Sequence, residues 1–85
     1  MRPRSSPGIA GTLRKMRLEL GLTLREVEVR SGISNAYVCQ LEGGRIKEPS
    51  PHILYLLALV YAAPGKLRAC YRELFIAAGY RLPDV

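Results

Sequence analysis

The sequence predicts an all-α fold, with five helices packed into one compact bundle. Apolar residues recur every three or four positions in five successive segments, which is the spacing of one helical face. No segment alternates apolar and polar residues with a period of two, so we expect no β-sheet. The 85 residues, of which 48 % are hydrophobic, are enough for one small domain with a modest core.

The first two helices are delimited by residues that favour helix ends. We expect the first helix over roughly residues 12–20, with Thr12 as its N-cap. The second helix begins after Thr23, because Thr23 and Glu26 have the T-x-x-E spacing of a capping box. It ends at Gly32, since glycine adopts the left-handed conformation of a helix C-terminus at the least cost.

The third helix follows the second after a very short junction. Ser34 is a preferred N-cap, and only Gly-Ile-Ser lies between the two helices. Two helices joined by three or four residues that include glycine form a helix-turn-helix, which we place at residues 23–42. Val38 and Leu41 mark the inward face of the third helix.

The remaining segments complete one domain. Ser50 can cap the fourth helix and Pro51 suits its first position. The fourth helix is apolar almost all round, which indicates that more than one of its sides is covered. The fifth helix is expected at residues 65–78. We expect residues 9–85 to form a single domain, preceded by a flexible basic arm at residues 1–8.

The charge balance favours a polyanionic partner. Thirteen Lys and Arg residues against seven Asp and Glu residues give a net charge of +6, which favours nucleic acid first and an acidic membrane surface second. The longest apolar run, residues 53–63, has 11 residues. About 20 are needed to span a bilayer, and the first residues lack the apolar stretch of a secretory signal. We therefore expect no membrane-bound form.

Cysteine and histidine usage argues against metal, cofactor or catalytic chemistry. Cys39 and Cys70 are far apart in a chain without an export signal, which indicates reduced thiols in the cytoplasm. The one histidine, His52, belongs to no Cys/His cluster with ligand spacing, so we expect no metal and no cofactor. No nucleophile is paired with a base, and there are no paired carboxylates and no phosphate loop, so we expect no enzyme.

Residues 12–61 resemble the phage-repressor/Cro-type helix-turn-helix family, also called the Xre family. The resemblance is carried, in order, by R(x)3G-L-T-L-R-E-V, S-G-I-S, V-C-Q-L-E-G-G and P-S-P. The segment YRELFIAAGY resembles the fifth helix of many members. The resemblance implies a lambda-repressor-like bundle that acts as a sequence-specific, double-stranded DNA-binding transcriptional regulator. A small, cytoplasmic, nucleoid-associated homodimeric repressor that reads the major groove with its third helix is expected.

The resemblance also implies which side chains read bases. They lie in the first part of the third helix and one turn later: Asn35, Ala36, Tyr37 and Gln40. Asn and Gln can each make two hydrogen bonds to adenine, and the Ala methyl can touch a thymine methyl, which suggests an A·T-containing half-site. The alternative is that Asn35 only caps a helix and Gln40 is only solvated.

A second set of residues is expected to hold the DNA backbone. The start of the second helix and the loop after the third supply phosphate contacts in the family, and the matching residues are Thr23, Arg25, Arg45 and Lys47. Free N–H groups at a helix N-terminus add to the attraction of an anion. The alternative is ordinary solvated surface charge.

This sequence matches the family at some of its structurally important positions and departs from it at others. Arg17 and Glu42 correspond to an ion pair that joins the first helix to the third. Two positions within the helix-turn-helix depart from the family pattern. Glu28 stands where a small residue is usual, so its carboxylate must escape to the edge of the junction or find a hydrogen-bond donor. Leu24 stands where glutamine is frequent.

An outer apolar face is the clue to assembly. Together its side chains have more apolar surface than a single small domain should expose. They are Tyr55, Leu56, Leu59, Phe75 and Ile76. We expect them to form the interface of a symmetric homodimer, because dimeric members bind paired half-sites. The alternative is that the fifth helix folds over the fourth and hides them.

A different function remains open for the same fold. A helix-turn-helix can serve as a protein-interaction module, such as an antitoxin or a co-activator or adaptor, with weak or no intrinsic DNA binding. Glu28 and the outer apolar face favour this alternative, which implies a protein partner. The dependence of binding on salt separates the two, since a DNA binder releases counterions from phosphates.

Overall fold

The structure, a computed structural model, describes residues 8–46 and 48–81. That part of the chain contains no strand and five helices: α1 (Ile9–Glu19), α2 (Leu24–Ser31), α3 (Asn35–Glu42), α4 (Pro51–Tyr61) and α5 (Leu67–Ala77). The predicted all-α, five-helix fold is confirmed. Among these residues, no helix combines the length and the apolar character that a membrane span requires. The arm expected at the N-terminus falls on residues 1–7, which lie outside the described residues, and on Gly8.

Local capping sets the ends of α2 and the start of α3, as the sequence predicts. The Thr23 hydroxyl oxygen accepts a hydrogen bond from the Glu26 N–H at 3.0 Å, and the Glu26 carboxylate accepts one from the Thr23 N–H at 2.8 Å. Gly32 follows α2 with a φ of +81°. The Ser34 hydroxyl oxygen accepts a hydrogen bond from the Tyr37 N–H at 3.1 Å. The chain therefore turns from α2 into α3 within three residues.

The first helix starts earlier than the sequence predicts. Gly8 is the N-cap and makes no side-chain cap, while Thr12 is buried inside the helix and its N–H donates to the Gly8 carbonyl at 3.1 Å. The assignment of Thr12 as N-cap was wrong. Ile9 lies one turn before Leu13 on the buried face, and burial of that extra turn outweighs the preference of threonine for a cap.

The five helices share one core. α3 packs against α1 and α2, α2 also packs against α4, and α5 covers both α4 and α1. Every helix contributes to the largest fully buried side chains, which include Leu13, Val27, Val38, Leu41, Leu54, Leu57 and Leu74. Because α3 uses only its inner face for this packing, its outer face remains at the surface.

The segment that follows α5 is tied to the loop between α3 and α4. α5 begins at Leu67, two residues later than expected, because Gly65 turns the chain with a φ of +79°. Beyond α5, the Tyr80 hydroxyl donates a hydrogen bond to the Pro49 carbonyl at 2.8 Å. The Tyr80 ring also stacks on Phe75, with 4.8 Å between ring centroids. These contacts, which the sequence pattern did not indicate, fix the loop that follows α3.

Candidate nucleic-acid interface

Helix α3 presents one face to the core and another to solvent. Val38 and Leu41 are fully buried, and they anchor the helix. Ala36 and Gln40 are exposed. Residues four apart lie on the same side of a helix, so these two side chains form one outward ridge. Tyr37, also expected to read bases, is half-buried and packs against the edge of the core.

A buried ion pair holds the C-terminal end of α3. Arg17 donates from Nε to Glu42 Oε2 at 2.7 Å and from Nη2 to Glu42 Oε1 at 2.8 Å, so the contact is bidentate. The two side chains are only 10 % and 5 % exposed. The hydrogen bond to Glu42 raises the pKa of Arg17, and burial opposes this only in part. α1 and α3 are therefore joined by an ion pair between Arg17 and Glu42, the two residues that the family resemblance suggested.

Arg17 also holds the turn before α2. Its Nη1 donates to the backbone carbonyl of Leu22 at 2.9 Å. No sequence pattern indicates this bond, because every residue carries a backbone carbonyl. One guanidinium thus links α1, the start of the helix-turn-helix and the end of α3.

A second link joins α2 to the N-terminal end of α3. The side-chain amide of Asn35 donates from Nδ2 to Glu28 Oε1 at 2.6 Å, in a partly buried position. The Glu28 carboxylate was expected either to escape to the edge of the junction or to find a hydrogen-bond donor. It finds a donor. That donor is one of the expected base-reading residues. Asn35 is half-buried at the first position of α3, so part of its hydrogen-bonding capacity is already used inside the protein.

The expected phosphate-binding residues lie at the surface where the structure describes them. Thr23 and Arg25 are exposed at the start of α2, although the Thr23 oxygen also accepts a bond in the capping box. Arg45 is exposed in the loop after α3. Lys47 lies outside the described residues. Leu24, where the family often has glutamine, is half-buried against the core and offers no polar atom.

The five residues of the expected dimer interface do not form one surface. Leu56 and Phe75 are half-buried, and Phe75 lies between Tyr71 and Tyr80 in a row of aromatic rings. Ile76, which is 53 % exposed, lines a groove between α5 and α1 instead. Successive residues on a helix point about 100° apart, which separates Ile76 from Phe75.

What remains on the outer side of α4 is a smaller apolar patch. Tyr55 is 42 % exposed and Leu59 is 51 % exposed. The Tyr55 ring meets Tyr71 of α5 edge to face, with centroids 5.8 Å apart. α5 therefore covers part of the outer face, as the alternative expectation had it, while two large side chains stay open to solvent.

The two cysteines differ in environment. Cys39 is exposed on α3, whereas Cys70 is buried and burial raises the pKa of its thiol. Within the described residues, no group of three or more His, Cys, Asp or Glu side chains is arranged to hold a metal ion.

Comparison with known proteins gives a consistent result. Residues 9–70 match the helix-turn-helix domain family. Over 68 residues, 80 % of this chain and 45 % of the relative, the sequence is 35 % identical to RghRB of Bacillus subtilis, an uncharacterized HTH-type transcriptional regulator. Over 50 residues, 59 % of this chain and 64 % of the relative, it is 44 % identical to y4dJ of Sinorhizobium fredii, which carries the same description. The chain thus spans about half to two thirds of the length of these relatives. No solved structure matches it.

Proposed function

The chain belongs to the helix-turn-helix domain family, and we propose that it is a sequence-specific regulator of transcription that binds double-stranded DNA. The observation that carries the proposal is the placement of α3, with a buried inner face, a link at each end and an exposed Ala36–Gln40 ridge. A net charge of +6 favours the same partner. Both relatives described above are named as transcriptional regulators.

Helix α3 enters the major groove in this proposal. The groove is about 12 Å wide and admits one α-helix, and only there does each base pair carry a distinct pattern of donors and acceptors. Ala36 and Gln40 reach base edges from the outward ridge, and Asn35 and Tyr37 contribute from the N-terminal end. Since Asn and Gln pair best with adenine and alanine with the thymine methyl, the half-site contains A·T pairs.

Backbone contacts set the register of the helix on DNA. Thr23 and Arg25 at the start of α2, and Arg45 and Lys47 after α3, are proposed to hold phosphates on either side of the groove. Such contacts orient a protein without reading sequence, whereas base contacts specify it. The two groups of residues should therefore respond differently to substitution.

Binding-site selection from random DNA, followed by affinity measurements over a range of salt, tests the proposal. Gln40→Ala should relax specificity at one base position at a cost of about 1–3 kcal/mol, while Arg45→Ala should weaken all sequences alike and lower the salt slope by about one. If no sequence is enriched and affinity does not fall with salt, DNA binding is refuted.

The proposed regulator is a homodimer that represses by occupying its operator. Tyr55 and Leu59 on the outer side of α4 supply the apolar contact, and dimers of this kind place half-sites about 34–36 Å apart. Sedimentation equilibrium should give a dimer for the wild type and a monomer for Leu59→Asp, with His52→Ala in the same helix as a control. A monomeric wild type at tens of micromolar would exclude this interface.

The alternative is a helix-turn-helix that binds a protein partner. The engagement of Asn35 by an acidic residue favours it, because a carboxylate beside the reading face repels phosphate. The salt series separates the two functions. A protein-binding module would show at most weak binding to every DNA, with little dependence on salt.

A further inference from the structure

The geometry points to Glu28 as a specificity-determining residue, which fixes the edge of the Asn35 amide that reaches DNA and so selects adenine at one base position. This inference rests on the DNA-binding function proposed above and adds to it the identity of one base. Its foundation is the 2.6 Å bond from Asn35 Nδ2 to Glu28 Oε1.

The bond removes an ambiguity that a free asparagine side chain has. An amide can turn over and present either its oxygen or its NH2 group, since the two ends have nearly the same shape. A carboxylate only accepts hydrogen bonds, so only the NH2 end can face Glu28. The reversed amide would set Oδ1 against the carboxylate oxygens, which repel it. Asn35 is therefore held with Oδ1 turned away from α2.

The groups left over on the amide define what Asn35 can read. Oδ1 remains as an acceptor, and one of the two N–H groups of Nδ2 remains as a donor. In the major groove, adenine offers an amino donor beside the acceptor N7, which matches this pair with two bonds. Guanine offers only acceptors there, and thymine offers one acceptor and a methyl group. Cytosine offers a donor without the neighbouring acceptor, so it can satisfy only one of the two groups.

Glu28 also lowers the affinity for every sequence alike. Its negative charge sits beside Asn35 at the first turn of α3, the helix that enters the groove in the proposed complex. Because nonspecific binding depends mainly on charge, a carboxylate here weakens it and leaves base contacts to decide where the protein binds. Glu28 thus raises the ratio of specific to nonspecific binding through the orientation of Asn35, whereas its charge lowers the affinity for all sequences together.

The test compares base preferences of the wild type and four variants by binding-site selection, followed by affinities for single-base variants of the selected site. Asn35→Ala identifies the position that Asn35 reads. Glu28→Ala should lower the preference for adenine over guanine at that position about tenfold, within the usual range for one mismatched pair. Glu28→Gln should keep much of this preference, since a glutamine carbonyl also accepts a bond, and should bind all sequences more tightly. Glu73→Gln, which removes the same charge from the exposed side of α5, should leave the profile unchanged.

A double variant and a spectroscopic measurement complete the experiment. In the Asn35→Ala background, Glu28→Ala should cause no further change in base preference. In free protein, the side-chain NH2 resonances of Asn35 should show one hydrogen-bonded proton, and Glu28→Ala should return it to the position of a solvated amide. Wild-type preferences kept at every position by Glu28→Ala, or an unchanged amide resonance, would overturn the role of Glu28 while DNA binding stands. A wild type that selects no sequence would overturn the DNA-binding function itself.

Discussion

Replacing Arg17 by alanine should cause the largest loss of stability of any single charge removal among the described residues. The substitution removes both hydrogen bonds to Glu42 and the bond to the Leu22 carbonyl. It leaves a carboxylate that is 5 % exposed without its countercharge. Breaking a buried pair in this way costs about 3–5 kcal/mol, whereas an exposed pair is worth less than about 1 kcal/mol.

The magnitude can be read from denaturation curves. For a domain of this size each kcal/mol shifts the midpoint by about 4–8 °C, so Arg17→Ala should melt at least about 12 °C lower than the wild type. Urea titrations followed by circular dichroism give the free energy directly. Arg14→Ala is the matched control, because Arg14 is an exposed arginine on the same helix, and it should change stability by less than about 0.5 kcal/mol.

A double variant separates the charge from the packing. Arg17→Met with Glu42→Met removes both charges and keeps apolar bulk, so it should recover most of the loss, since a buried pair replaced by apolar residues is often neutral. A loss below about 1 kcal/mol for Arg17→Ala would refute the reasoning, because the pair would then behave like one on the surface.

Two further changes test contacts at the edges of the fold. Tyr80→Phe should lower the free energy of unfolding by about 0.5–1.5 kcal/mol in urea, since it removes the bond to the Pro49 carbonyl, and an unchanged midpoint would mean that this bond adds nothing. The Thr23 N–H lowers the pKa of Glu26 from its ordinary 4.5. The stability that Glu26 adds is therefore complete above pH 4.5 and is lost as pH falls through the lowered value. The difference in melting temperature between wild type and Glu26→Gln should shrink in acid, and a constant difference would contradict this assignment.

The parts of the fold that the sequence predicted depend on local chemistry. The capping box at Thr23, the left-handed Gly32 and the cap at Ser34 each involve residues within four positions of one another, so their spacing alone indicates them. The start of α1 was missed for the opposite reason. Thr12 is a good cap by type, but the position of Ile9 in the core depends on how α1 packs against the rest of the molecule.

Contacts between distant segments were predicted only where both partners carry charge. The Arg17–Glu42 pair could be predicted because it matches a family pattern. The bond from Tyr80 to the Pro49 carbonyl spans 31 positions and ends on the backbone, so no sequence pattern signals it. The outer apolar residues also looked like one set in the sequence. In the structure Phe75 lies in an aromatic row and Ile76 lines a groove, because successive residues of α5 point about 100° apart.

The two links that hold α3 differ in whether they use a side chain that is proposed to contact DNA. The Arg17–Glu42 pair is buried and away from the outward ridge, so its loss should lower stability while the folded fraction keeps the same base preference. The Glu28–Asn35 bond uses a side chain of the proposed reading face, so its loss should change base preference with little effect on stability. Stability and specificity are thus assigned to opposite ends of one eight-residue helix. Melting curves and selected sites measured for both alanine variants should therefore change independently of each other.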